Sequence, residues 1–124
     1  MSYSVQNIRN VALLGHGGNG KTTLVESMLY LTGVLDRQGR TTDGNTVCDY
    51  DAEEIKRQIS ISLAVAPVEF GGCKINVLDC PGYFDFVGET MSALRAADTG
   101  MIFCTAKDGI SVGAERSWKY LKNA

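Results

Sequence analysis

The chain has 124 residues, 44% of them apolar, enough for the buried core of one small domain. Its formal net charge of −2 offers no broad basic footprint for DNA or other nucleic acid. No apolar run is long enough to span a membrane as a helix and no signal-peptide pattern opens the chain. The four cysteines lack C-x-x-C pairing, which points to reduced thiols in a cytoplasmic protein.

In chain order, residues 1–9 are polar and are expected to fray. A first strand is predicted over Asn10–Leu14, its continuous apolar run suiting a parallel strand covered on both faces. Next come Gly15, His16, Gly17, Gly18, Asn19, Gly20, Lys21 and Thr22, which fit the phosphate-loop pattern of Gly, four residues, Gly, Lys, then Ser or Thr. Glycines let such a loop curl so that its N–H groups converge on phosphate, and the following helix adds its unpaired first-turn amides. Lys21 is the candidate cation for the β and γ phosphates and a candidate catalytic group. Thr22 is the candidate hydroxyl for Mg²⁺, and Thr23 completes the binding turn. The alternative is an ordinary Gly-rich turn, which the flanking strand and helix signals disfavour. The helix is predicted over Lys21–Leu31, with Leu24, Met28 and Leu31 packing inward and Gly33 as its stop.

From Val34 to about Gln58 charges dominate and no period holds. This is either a solvated loop or a segment that orders around a γ-phosphate and Mg²⁺, and a phosphate loop upstream favours the second reading. A strand is predicted over Ile59–Phe70, with Ile59, Ile61, Leu63 and Val65 on one face as in an edge strand. Gly71-Gly72 then turns the chain into a second strand, Lys74–Leu78. That strand ends at Asp79-Cys80-Pro81-Gly82-Tyr83, where a carboxylate can hold a Mg²⁺-bound water and Gly82 leaves room for an N–H to meet a terminal phosphate. A helix over Phe84–Ala97 with Val87, Met91 and Leu94 on one face, a strand over Gly100–Thr105, and a helix over Gly113–Leu121 anchored by Trp118 complete the pattern. The order β-α-β-β-α-β-α implies an α/β fold with helices on both faces of a mostly parallel sheet containing one antiparallel hairpin. Both motifs then lie at carboxyl ends of strands, where such sheets place ligands.

The phosphate loop with His16, the stretch Arg57-Gln58-Ile59-Ser60-Ile61, and Asp79-Cys80-Pro81-Gly82 together resemble the G domain of translational GTPases. The closest likeness is to elongation factor G, and residues 81–89 look like its second, divergent bacterial form. The resemblance implies a phosphate-loop NTPase fold that binds GTP and GDP through Gly15 to Thr23, Asp79 and Gly82. It also implies Mg²⁺ held by Thr22, by Ser60 and, through water, by Asp79. Two departures stand out. The family's first switch usually reads Arg-Gly-Ile-Thr, and here Gln58 and Ser60 replace the Gly and Thr; serine keeps the hydroxyl. At Tyr83 the family usually has a His that orients the attacking water, and a phenol does not take up a proton near neutral pH as imidazole does.

The guanine-reading Asn-Lys-x-Asp motif does not occur in the sequence. The resemblance therefore implies an amino-terminal part of a G domain, cut before the guanine-recognition strand, whose parent acts on the ribosome. Without that strand, an uncovered sheet edge is expected to promote self-association. Three readings follow: a ribosome-stimulated GTPase, a nucleotide-dependent ribosome-binding switch with little turnover, and a ribosomal protection protein.

Overall fold

The computed structural model describes residues 2–124. Four strands form one mixed sheet in the order β2-β3-β1-β4. Strand β1 (Ile8–Gly15) is central and pairs in parallel with β3 (Cys73–Asp79) on one side and β4 (Thr99–Phe103) on the other. Strand β2 (Ala64–Phe70) is an edge strand, antiparallel to β3. Gly71 and Gly72, both with positive φ, make the two-residue turn between them, a conformation that strand twist favours and that side chains resist.

The core has two halves because successive β1 side chains point to opposite faces. Leu13 joins Val25 and Leu29 of helix α1 (Lys21–Leu31) on one face. Ala12 and Leu14 join Ala93 and Leu94 of helix α3 (Val87–Ala96) on the other, with Tyr120 and Leu121 of helix α4 (Val112–Asn123) packed against them. Burial on both sides explains the unbroken apolar run in β1, each large side chain contributing about 1.5–3 kcal/mol. The expected α/β architecture with one hairpin is the one observed.

Several local expectations need correction. Strand β1 begins at Ile8, two residues early, because Ile8 and Arg9 pair with Lys74 and Ile75. Val5–Asn7 form a 3-10 turn rather than a frayed end, and Met1 lies outside the described residues. The stretch 34–58 contains a 3-10 turn at Thr41–Asp43 and a short helix, α2 (Ala52–Arg57). Helix α2 has a full capping box, in which Asp51 accepts from the Glu53 amide (2.8 Å) and Glu54 accepts from the Asp51 amide (3.1 Å).

Strand β2 starts at Ala64 rather than Ile59, and its phase is opposite to the one read from sequence. Ala64, Ala66 and Val68 are buried while Val65 is 58% exposed. The cause lies upstream: the buried Glu54 carboxylate takes the amides of Ile61 and Ser62, both at 2.9 Å, so these residues have no amide free for a ladder. Pro67, which cannot donate to a ladder, is tolerated because β2 is at the edge.

The other two helices are rotated from expectation. A 3-10 turn at Phe84–Phe86 precedes α3, so its inward residues are Thr90, Ala93 and Leu94, and Met91 is exposed. In α4, Trp118 is not a core anchor: it is 63% exposed, and Ala114 and Ser117 are the buried positions. Two glycines set this rotation. A Cβ on Gly100 would collide with Leu121, and one on Gly113 would collide with the His16 backbone. Small residues bring α4 close to the sheet, and a bulky indole has no room in that seam.

Candidate functional site

The carboxyl ends of β1 and β3 open onto a cavity of about 310 Å³. Gly20, left-handed at φ 85°, ends the loop and caps α1. The first helical bond is made by the Leu24 amide to the Gly20 carbonyl (3.0 Å), which leaves the amides of residues 21–23 without helical partners. Gly17, Gly18, Gly20, Lys21, Thr22 and Thr23 all line the cavity, as do Gly82 and Tyr83 across from them.

Lys21 is 6% exposed, and its Nζ donates to the carbonyls of Gly15 (3.2 Å) and His16 (2.9 Å). Burial lowers its pKa, and the nearby Asp79 opposes that shift. The ammonium is thus held inside a curl of main chain with two neutral acceptors and no direct carboxylate contact, a poised cation for an anionic ligand.

Beside it runs a chain of four oxygen-bearing side chains. Thr22 Oγ1 donates to Asp79 Oδ2 (2.6 Å) and lies 3.2 Å from Ser60 Oγ, which donates to Asp49 Oδ1 (2.7 Å). Burial pushes the Asp79 carboxyl up to about 6, against the Thr22 hydrogen bond and the Lys21 charge. Burial likewise raises Asp49, against the Ser60 hydrogen bond. The second oxygen of Asp79, Oδ1, is buried with no hydrogen-bond partner. An orphaned carboxylate oxygen among hydroxyls and a second acid suits a hard cation that prefers oxygen. Among the described residues, no three His, Cys, Asp or Glu side chains converge to hold a metal by themselves. The donor set therefore fits Mg²⁺, which is commonly bound through one or two carboxylates together with phosphate oxygens.

The other predicted residues fall as follows. Gly15 and His16 supply carbonyls to Lys21, but both line a neighbouring cavity rather than this one. Asn19 Nδ2 is spent on the Phe103 carbonyl (3.1 Å), which ties the loop to β4. Tyr83 is 39% exposed and lies over Gly17, where a Cβ would strike its ring; its centroid is 6.0 Å from that of His16. Gly82 sits against the Gly17 amide so closely that a side chain at 82 would collide with it. Cys48 and Cys80 are buried free thiols; burial raises both, Cys80 to about 12, so neither is a nucleophile.

Sequence reading missed Thr41, Thr42, Asp49 and Gln58, which also line the cavity. Two buried carboxylates place them. Glu26 of α1 accepts from the amides of Gly39 (3.2 Å) and Val47, and Glu54 pins residues 51, 61 and 62. The only advance signal was the Asp51-x-x-Glu54 capping pattern.

Comparison with known proteins agrees with this geometry. The family description "Elongation factor Tu GTP binding domain" matches residues 6–124. An elongation factor G-like protein of Mycobacterium tuberculosis is 46% identical over 112 residues, covering 90% of this chain and 16% of that protein. Elongation factor G 2 of Borreliella burgdorferi is 38% identical over 113 residues, covering 91% and 17%. A solved protein of Thermus thermophilus superposes at a TM-score of 0.91 with 46% identity, over 94% of this chain and 18% of that one. A bacterial selenocysteine-specific elongation factor superposes at 0.73 with 25% identity, over 98% and 18%. The chain thus spans about a sixth of the length of the relatives it matches. With its phosphate loop, sheet order and matched length in agreement, the chain belongs to the elongation factor Tu GTP-binding domain family.

Proposed function

We propose that the cavity between Gly17 and Gly82 binds the phosphates of GTP with Mg²⁺, and that the parent protein is an elongation-factor-G-like GTPase acting on the ribosome in the cytoplasm. The observation that carries this reading is the convergence of Lys21 and the Thr22–Asp79–Ser60–Asp49 chain on one cavity. Lys21 and the amides of residues 17–23 bind and orient the polyphosphate. Thr22 and Ser60 offer hydroxyls to the cation, with Asp79 and Asp49 holding its water shell. When bound, Mg²⁺ supplies charge stabilisation at the phosphoryl oxygens. Phosphoryl transfer depends chiefly on such positioning and charge stabilisation.

Tyr83 separates this reading from a second, a nucleotide-dependent ribosome-binding switch with little turnover. Its ring rests on Gly17, placed to order or exclude a water at the terminal phosphate but unable to accept a proton as imidazole does. Ribosome-stimulated GTP hydrolysis by the full-length protein tests this, comparing wild type with Tyr83→His and Tyr83→Phe. Stimulated turnover in wild type supports the GTPase. No stimulation in wild type with recovery in Tyr83→His supports the switch.

A further inference from the structure

A second cavity of about 260 Å³ adjoins the first and shares Gly82 and Tyr83 with it. One side is the segment from Pro81 to Val87; the other is α4, from Val112 to Tyr120. Its buried polar groups are already satisfied. The Thr90 hydroxyl donates to the Pro81 carbonyl (3.5 Å) and the Ser117 hydroxyl to the Gly113 carbonyl (2.7 Å). What remains is largely apolar surface from Leu14, Pro81, Val87 and Tyr120. Arg116 and Phe84 bridge the two sides, the guanidinium carbon 4.4 Å from the ring centroid. Arg116 has no carboxylate within 4 Å among the described residues, and the exposed Asp85, which also lines the cavity, is not paired with it.

We propose that this cavity is a binding site for a small, neutral, planar aromatic molecule, and that its occupancy is coupled to the nucleotide site. Three observations select that class. A charged ligand would leave water for a lining whose hydrogen bonds are spent, and a carboxylate drawn by Arg116 would also meet Asp85. An aromatic ring can take the place of Phe84 beneath the guanidinium and keep the cation–π contact. The volume sits just below the roughly 300–1,000 Å³ of drug-sized pockets and well above the ~150 Å³ that suffices for benzene, so one or two rings fit. Coupling follows from the shared wall: a ligand lodged against residues 81–87 bears on Gly82, which touches the Gly17 amide. By linkage, nucleotide and aromatic must then alter each other's affinity by the same factor. The binding half stands on this cavity alone; the coupling half rests on the proposed nucleotide function.

The test titrates the 124-residue chain, without nucleotide, with 2-naphthol and separately with 2-naphthoate, following backbone amide resonances. We expect saturable one-site shifts at Thr90, Gly113, Arg116 and Ser117 with naphthol, and weaker binding of naphthoate. Arg116→Ala should weaken naphthol about two- to fivefold, because an exposed cation–π contact is lost. Ser117→Leu should fill the cavity and abolish the shifts; if that variant fails to fold, Arg116→Ala decides. No shift at these four amides, unchanged affinity in Arg116→Ala, or preference for naphthoate overturns the assignment. GDP affinity is then measured with and without saturating naphthol. Equal affinities overturn the coupling, whereas no GDP binding at all counts against the nucleotide reading and leaves the naphthol result to stand.

Discussion

Residues 15–23 and 79–83 reach the cavity from the ends of β1 and β3, whereas residues 41–60 reach it from a stretch with no sheet partner. The first set is fixed by backbone: a parallel ladder, a left-handed glycine and a helix start. The second is fixed by two buried side chains, Glu26 and Glu54, that clamp backbone amides from a distance. One half of the site is therefore as firm as the sheet. The other is as firm as a few charge-assisted hydrogen bonds, which suits a segment that changes state with its ligand.

Mutations can break this contrast in graded steps. The largest effect is expected on the backbone-built half, where Lys21→Ala should weaken GTP by about two orders of magnitude without unfolding the chain, measured by calorimetry. Unchanged affinity would place the phosphates elsewhere. On the clamped half, Glu54→Ala strands the amides of Asp51, Ile61 and Ser62 and should cost about 3–5 kcal/mol, seen as rapid proteolysis between residues 40 and 62. Glu54→Gln should rescue only partly, since an amide group offers one acceptor oxygen where two are used.

Next in size is Asp79→Asn. Burial raises this carboxyl from 3.8 to about 6, so in metal-free protein the ionised form disfavours folding. Stability should therefore be fullest below about pH 4, fall as pH rises through about 6, and stay reduced above. The asparagine variant keeps an acceptor for Thr22 and should be more stable than wild type at pH 7, by about 2–3 kcal/mol, with that slope gone. It should also lose the Mg²⁺ dependence of nucleotide binding. The smallest effect is at Gln58, the one non-glycine residue with positive φ (55°) among the described residues. Gln58→Gly should stabilise the chain by about 1 kcal/mol in denaturant unfolding, because the left-handed backbone no longer carries a Cβ.

The same contrast explains what could be read in advance. The phosphate loop and the Asp79 turn were legible because the pattern itself carries the mechanism: glycines for curl, Lys for charge, Thr and Asp for metal. Sheet order and hairpin followed from apolar runs and Gly71-Gly72. Asp49 was illegible because a buried acid 11 residues from Ser60 has no periodic signature; only the folded path of the clamped segment brings it there. The β2 phase failed for the same reason, as Ile59, Ile61 and Leu63 alternate like a strand while Glu54 removes two of the amides a strand would need. Trp118 was misplaced because the tight seam of α4 is set by absent side chains at Gly100 and Gly113, which an apolar stripe does not reveal.

The central claim is that both halves meet on one cation beside a polyphosphate. A crystal of the chain with a non-hydrolysable GTP analogue and Mn²⁺ in place of Mg²⁺ tests this directly through the anomalous signal of the metal. The account predicts a single peak bonded to Thr22 Oγ1 and Ser60 Oγ, with the phosphates on the amides of residues 17–22 and Lys21. A peak ligated by other residues, or a nucleotide bound away from Lys21, would contradict it.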